Sequence, residues 1–436
     1  MTSDETPKVS TFRTWFTNNG GYIHPNVDFE PVSSGYNLIA RDSIPADSVI
    51  VSCPFSLAIT PEFARKALIS VLNLSAAQAS VLQRWRERQL VCTYICLHWI
   101  LNGSNAPPEL AHRPYVHILP TPSQLLTSTN FTGQELELFR GTNIYGATID
   151  RLNAYTDEWK QCATDLRDLS LPVAGEYTWD RYHWAATYLT SRAFPSTLLS
   201  DNPSLVFRPG SNPMLLPGID ALNHARGHPV SWEISHTSST PSELAKSSIS
   251  HIIHKETPAG DELFNNYGLK PNAELILGYG FTLPNNPDDT IVLQIGGQPQ
   301  RPGYTPAKWE VGRDASGAEP VWEAVKAAVK QQNSRGSGNG VGSEDIEEPE
   351  TPDDVDEEEL WATEVLREMA EDLLSRLPQG MIDSTEVSKT VRPEVATMLE
   401  HYVEGQRDIL HSLVEFATKK EQMITERAQD RGNDIV

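Results

Sequence analysis

Leu215-Leu-Pro-Gly-Ile-Asp-Ala-Leu-Asn-His224 and Glu262-Leu-Phe-Asn-Asn-Tyr-Gly-Leu-Lys-Pro-Asn-Ala-Glu-Leu-Ile-Leu-Gly-Tyr-Gly-Phe281 decide how the rest of the chain is read. The first sets Asp220, Asn223 and His224 behind Leu215, Leu216 and Ile219. In the second, Tyr267 and Tyr279 bracket Asn272 and Glu274 among Leu, Ile and Phe. Polar groups in so apolar a setting are costly unless paired, so each stretch is a closed hydrogen-bond network or part of a site. Either stretch alone fits a core network equally well; the two together favour a site.

The pair resembles the Asn-His and catalytic-Tyr motifs of SET-domain protein methyltransferases. More narrowly it is similar to the branch that contains the Rubisco large-subunit and ribosomal-protein lysine methyltransferases. That branch shows Pro-x-x-Asp-x-x-Asn-His, then Gly-Glu-x-x-x-x-x-Tyr-Gly, then Asn-Ala-Glu-Leu-x-x-x-Tyr-Gly-Phe. Pro217 to His224, Gly260 to Gly268 and Asn272 to Phe281 follow this order, with Asp261 in place of the usual Glu.

Composition sets the outer bounds. The 436 residues are 39% hydrophobic and 21% charged, ordinary for a soluble globular protein of two or three domains. Net charge is −23, and Glu344 to Glu359 alone holds eleven acidic and no basic residues. The remainder is still acidic, which weighs against direct nucleic-acid binding, because phosphate contacts need clustered Lys and Arg. Such a field attracts a basic protein substrate, although acidity also serves solubility alone. The opening Met1-Thr-Ser-Asp-Glu-Thr is unlike a targeting peptide. The most apolar run, Val91 to Leu101, is too short to span a bilayer. Four scattered cysteines (Cys53, Cys92, Cys96 and Cys162) fit a reducing compartment, so a cytoplasmic or nuclear monomer free of membranes is expected.

Along the chain, Thr11 to Asn19 predicts a short helix with Phe12, Trp15 and Phe16 on one side. Val32 to Arg41 and Ser43 to Ser52, rich in β-branched residues and punctuated by Gly35 and Pro45, read as strand, turn and strand. From Pro61 to about Leu189 the spacing is helical. Cys92 and Cys96 share a helical face there, but His98 is nearly half a turn away and no fourth ligand is near, so no metal is expected. Pro114 to Pro120 and Gln134 to Asn143 read as structural. Trp179 to Phe194 predicts an amphipathic helix stopped by Pro195. Val230 to Ile234 and Ile249 to His254 read as strands joined by a polar loop, with Trp232 packing on a sheet. Asp289 to Ile295 is a further strand. Ser334 to Ser343 is a Gly/Ser linker with no strand before it, unlike a phosphate loop. Apolar stripes from Leu360 to Leu377 and from Val395 to Phe416 predict two long helices.

The resemblance implies an α+β fold. A β-rich SET domain is expected over residues 11–295, interrupted by a helical insertion at about 61–190. A mostly helical C-terminal domain is expected over 296–436, similar to the Rubisco methyltransferase substrate-binding domain, with a disordered acidic linker at about 333–359. The implied cofactor is S-adenosyl-L-methionine and the implied reaction is methylation of a lysine in a non-histone protein, ribosomal or translation-related. The role of catalytic residue falls to Tyr267. Ser34, Gly35, Tyr36, Arg192, Asp220, Asn223 and His224 are implied to bind cofactor, and Phe264, Tyr279 and Phe281 to wall the lysine channel. The hairpin departs from the family's Glu-Gly-x-Gly element, with Ser34 in place of Glu and Asn37 in place of the second Gly. No Cys-rich tail follows Phe281, unlike many histone-modifying SET enzymes.

Such chemistry needs a neutral amine, and lysine has a reference pKa of ~10.4. A site must strip and align it, and a rigid Tyr hydroxyl with backbone carbonyls can hold that geometry. Two other readings stand beside this one. The same fold methylates histidine in one member of the branch, and the departures at Ser34 and Asn37 would suit a non-catalytic peptide-binding module. No Gly-x-Ser-x-Gly elbow, Walker loop or Gly-x-Gly-x-x-Gly turn points to another enzyme class.

Overall fold

Two serines and a glycine set the first strand pairing. Tyr22–Ile23 (β1), Val27–Val32 (β2), Gly35–Ala40 (β3) and Ser48–Pro54 (β4) follow one another. β2 and β3 close antiparallel over Ser33 and Ser34, with Val32 opposite Gly35 at φ +132, a backbone angle that suits glycine alone. The sequence pattern pairs Val32 to Arg41 with Ser43 to Ser52; the structure instead gives β3 to β2 and sends β4 to another sheet. The cause lies in the connection, where Ile44 exchanges two backbone hydrogen bonds with Thr257 (2.9 and 3.0 Å) and draws the chain away from β3.

The computed structural model describes residues 6–103, 106–200, 202–206, 208–235, 247–295, 307–336, 351–378 and 390–432. Its contacts fall into two units. The first comprises Met1–Asn130, Ile149–Leu269 and Gly278–Gly280; the second comprises Phe131–Thr148, Lys270–Leu277 and Phe281–Val436.

In the first unit, Ala193–Pro195 (β5) pairs with Pro213–Leu215 (β6), and Asn223–His224 (β7) precedes Val230–Ser235 (β8) and Ser248–Ile253 (β9). The largest sheet runs β1-β4-β9-β8, antiparallel throughout. Trp232 lies opposite His251 in it, their rings edge to face at 4.7 Å. The loop between β8 and β9 falls largely outside the described residues. Helix Pro7–Asn18 buries Phe12 and Phe16 against this core. Helix Glu87–Ile100 is buried on every face from Gln89 to His98, so its apolar spacing reports a core helix rather than a surface one. Cys92, Cys96 and Cys162 are buried thiols whose pKa burial pushes up, Cys162 to about 12. Among the described residues no His, Cys, Asp or Glu cluster could hold a metal, and no helix is long and apolar enough to cross a membrane. Helix Trp179–Arg192 stops two residues short of Phe194, because Ala193–Pro195 is extended into β5.

The second unit holds the hairpin of Thr290–Gln294 (β11) and Lys308–Gly312 (β12), while Phe264–Asn265 (β10) belongs to the first. Its core joins Val321, Trp322 and Val325 of helix Ala318–Gly336 to Leu366 and Ala370 of Pro352–Arg376 and to Ile409 and Leu413 of Pro393–Asp430. Its members come from both sides of residue 295, because specific buried pairs hold them. Glu135 accepts hydrogen bonds from Arg392 N, Nε and Nη2 at 3.0, 2.9 and 2.8 Å. Asn272 donates through its backbone N–H to Asp289 Oδ1 (2.7 Å) and through Nδ2 to Asp289 Oδ2 (3.1 Å). The acidic linker read at about 333–359 is corrected at both ends. Residues 333–336 continue a helix, and Pro352 to Glu359 begin another, where a Thr351–Asp354 capping box and Asp353 suit the positive end of the helix dipole. Residues 337–350 lie outside the described part.

Gly405 is where helix Pro393–Asp430 passes Asp289. A β-carbon there would overlap Asp289 Oδ2 and sit 3.0 Å from its Cγ. A glycine-to-alanine change inside a helix ordinarily gains ~1 kcal/mol. Gly405→Ala is expected to reverse that sign and destabilise the chain by roughly 1–3 kcal/mol through overpacking, measured by chemical denaturation. An unchanged or raised midpoint would contradict the close packing at Asp289.

Candidate active site

The two deciding stretches meet in a parallel pairing only two residues long, Asn223 opposite Phe264 and His224 opposite Asn265. β10 in turn leaves a segment bound to β3, through Leu263 N to Leu38 O (2.8 Å) and Ala40 N to Asp261 O (2.9 Å). Three strands distant in sequence therefore present side chains to one place.

Tyr267 is held from several sides. Its hydroxyl donates to Leu222 O at 2.8 Å, and its backbone N–H donates to His224 Nδ1 at 3.0 Å. The His224 ring stacks on it at 5.0 Å and 20°, and Tyr279 lies 5.0 Å away at 32°. Burial pushes the Tyr267 hydroxyl well above the usual phenol range, only partly offset by Arg192, so it remains a protonated donor. Tyr279 owes its placement to Gly280, at φ +85. A β-carbon on Gly280 would come within 2.6 Å of the Leu126 carbonyl carbon and 2.7 Å of Thr127 N.

Asp220 is sealed behind this group, its side chain 1% exposed. It accepts from Tyr115 Oη at 2.6 Å and faces Arg192 Nη1 at 3.3 Å, while the same Nη1 donates to Asp220 O at 2.8 Å. Burial raises its pKa, and Arg192 and Tyr115 draw it back only in part. Asp220 and Arg192 thus brace the turn that leads into Asn223.

Asn223 itself is exposed. Its Nδ2 donates to Asn37 Oδ1 (2.9 Å) and Glu262 Oε1 (2.7 Å), and Asn37 Nδ2 donates to Glu262 Oε2 (3.1 Å). Burial raises the Glu262 carboxyl, against the pull of the Asn223 hydrogen bond.

The structure therefore brings together Arg192, Asp220, Asn223, His224, Tyr267 and Tyr279. Phe264 lies opposite Asn223 on β10, with its ring edge to His228 at 5.9 Å. Ser34 and Gly35 end the β2–β3 hairpin, Ser34 exposed. The Tyr36 ring meets Phe29 at 6.3 Å and its hydroxyl lies 3.3 Å from Thr6 Oγ1, so its described contacts are with β2 and the N-terminal segment. Phe281 falls in the second unit and is half-buried there. Sequence reasoning missed Tyr115, Glu262 and the side chain of Asn37. The one usable signal was a carboxamide standing where the hairpin pattern has glycine.

No family model matches the chain. It is similar to the ribosomal lysine N-methyltransferase set10 of Schizosaccharomyces pombe, 30% identical over 292 residues, covering 65% of this chain and 47% of that protein. The protein-lysine N-methyltransferase EFM1 of Saccharomyces cerevisiae is 26% identical over 324 residues, covering 64% and 51%. The actin-histidine N-methyltransferase of Gallus gallus is 24% identical over 290 residues, covering 65% and 44%. The chain spans about half the length of the curated relatives it matches. Among solved structures, the SET domain of LSMT bound to lysine and AdoHcy matches with TM-score 0.70 at 18% identity, covering 99% of this chain and 97% of that one. Rubisco LSMT bound to AdoMet gives 0.69 at 18% identity, covering 98% and 97%. The chain has the SET fold.

The SET fold has α+β character here, with the largest sheet in the first unit, the β11–β12 pair in the second, and a helical C-terminal region. Within this SET domain, the Tyr115–Asp220 bond makes a testable claim. Tyr115→Phe leaves a buried carboxylate short of a partner and is expected to destabilise the chain by roughly 1–3 kcal/mol at neutral pH. Because the pKa of Asp220 is raised in the folded chain, the stability it contributes is present at low pH and lost as pH rises through the raised value. The variant pushes that pKa further up. The gap between variant and wild type should be smallest below about pH 4, where Asp220 is protonated folded and unfolded, and should widen with pH. Denaturation midpoints across pH 4–8 check this; a constant gap would refute it.

Proposed function

We propose that the chain is an S-adenosylmethionine-dependent protein-lysine N-methyltransferase. The observation that carries this reading is the Tyr267 hydroxyl, donated to Leu222 O at 2.8 Å beside the exposed carboxamide of Asn223. The polar atoms here suit the cofactor's chemistry. Leu222 O, Tyr267 Oη, Asn223 Oδ1 and the Glu262 carboxylate are acceptors, and S-adenosylmethionine is cationic at its sulfonium and its ammonium. When bound, it supplies an electrophilic methyl group.

The chain's own residues do the remainder. Tyr267 and the Leu222 carbonyl hold two oxygens rigidly against a place where positive charge is transferred. The faces of Tyr267 and Tyr279 favour an ammonium by ~0.5–2 kcal/mol, which orients a lysine side chain before it loses its proton. Alignment of amine and methyl carbon then accounts for much of the rate.

A basic ribosomal or translation-related protein is the proposed substrate, supported by the name of the fission-yeast relative and by the net charge of −23. A cytoplasmic or nuclear setting is supported by four free, buried cysteines. Histidine methylation is the second reading, favoured by the likeness to actin-histidine N-methyltransferases.

Calorimetric titration with S-adenosylmethionine tests the reading. Wild type is expected to bind, and Asn223→Ala to bind roughly 10–100-fold more weakly, as loss of a charge-assisted hydrogen bond implies. Transfer of labelled methyl to basic ribosomal and cytosolic proteins should then fall by roughly 100-fold or more in Tyr267→Phe. Retention of label by lysine peptides and not histidine peptides decides between the two acceptors. Absence of binding at millimolar cofactor would overturn the enzyme reading and leave the peptide-binding module.

A further inference from the structure

An ionised carboxylate accepts hydrogen bonds and donates none, and Glu262 uses that property to order two other side chains. Its Oε1 takes a hydrogen from Asn223 Nδ2 at 2.7 Å, and its Oε2 takes one from Asn37 Nδ2 at 3.1 Å. The second Asn223 hydrogen goes to Asn37 Oδ1 at 2.9 Å. Turning either carboxamide over would set an amide oxygen against the carboxylate. Both orientations therefore follow from Glu262 and not from a choice between look-alike atoms. Both amide hydrogens of Asn223 are engaged inside the protein, so Oδ1 is the atom its carboxamide has left for a ligand.

Asn37 lies 186 residues from Asn223 and 225 from Glu262, so no local turn accounts for the triangle. It is built from β3, β7 and the segment that enters β10. A glycine at 37, as in the resembled hairpin element, could not close it.

We propose that Glu262 and Asn37 are positioning residues that lock the Asn223 carboxamide with Oδ1 outward, as acceptor for the ammonium at the amino-acid end of the cofactor. The proposal rests on the cofactor reading above. It makes Asn37 a working part of the site, where the sequence pattern alone marks it as a defect.

The test exploits donor and acceptor matching. Asn37→Asp sets two carboxylates against each other; Glu262→Gln sets two amide NH2 groups against each other. The double variant exchanges the two groups and restores the pairing, since the carboxylate at 37 accepts from both neighbours while the carboxamide at 262 donates to it and accepts from Asn223. Wild type, each single variant and the double variant are titrated with S-adenosylhomocysteine and with its analogue lacking the α-amino group. Wild type should prefer the amino-bearing ligand. Each single variant should lose that preference by roughly tenfold, the worth of one such hydrogen bond, and the double variant should regain it. Thermal unfolding confirms that all four are folded. An unchanged preference in the single variants, or a double variant as poor as the two losses combined, would overturn the proposal. Failure of wild type to bind either ligand would instead remove the cofactor reading on which it stands.

Discussion

Everything at the site depends on one parallel pairing two residues long. Asn223 and His224 lie beside Phe264 and Asn265, and Tyr267 follows two residues later. Parallel strands cannot be joined by a tight turn, and here the crossover is the β8–β9 hairpin, whose second strand is fixed in the large sheet between β8 and β4. That sheet therefore sets the register. A slip of one residue would turn Asn223 and His224 to opposite faces and take the imidazole from beneath Tyr267. So short a ladder could not hold itself; the bridge from β3 to Glu262 on one side and the His224–Tyr267 hydrogen bond on the other hold it.

Buried carboxylates do the bracing in both units, and each is satisfied in a different way. Asp220 meets a guanidinium and a phenol, which compensates much of the cost of burying charge. Asp289 meets the backbone and side-chain amide of Asn272, with Arg313 Nη2 at 3.5 Å, and burial still raises its pKa to about 6. Arg313 also takes Glu404 and Asp408, so its charge is shared rather than devoted to Asp289. This makes Asn272 a structural fastener of the second unit. Its place in the motif string says nothing by itself about contact with substrate.

How much of this could be read from sequence divides along a physical line. Polar residues in apolar runs single out the two stretches, because an unpaired buried polar group is expensive; Asp220 is buried as that argument requires, whereas Asn223 is exposed, and the roles of Asn223 and Tyr267 come from the resemblance. The apolar periodicity of the C-terminal helices was legible too. Strand partners were not. Ser33-Ser34-Gly35 lets the strand turn back on Val27–Val32, but that Ser48–Pro54 then leaves it for another sheet is decided by a backbone pairing between Ile44 and the distant Thr257. Nor could the end of the helix before β5 be placed, since Pro195 forbids helix beyond itself but leaves Ala193 and Phe194 to the strand that recruits them. Glu262 was invisible for the plainest reason: its importance is a pairing with a residue 225 positions away.

The protonation states at the site bear on what kind of catalyst it can be. Tyr267 is kept protonated by burial and donates its hydrogen to Leu222 O. The Nδ1 atom of His224 accepts the Tyr267 N–H, so that nitrogen is taken up by the backbone. Asp220 is closed off by Tyr115 and Arg192. Tyr267, His224 and Asp220 are thus each committed to a structural hydrogen bond, and the Glu262 carboxylate is taken up by Asn223 and Asn37. On the proposed reading this is consistent: an amine that has already lost its proton needs no base in the transition state, and a base left free would compete for the position that a fixed oxygen should hold. The site is built to orient and to accept, so its contribution is geometric and electrostatic. The acceptor-only character of Glu262 extends the same logic outward from Tyr267 to Asn223, by fixing which end of a carboxamide the ligand meets.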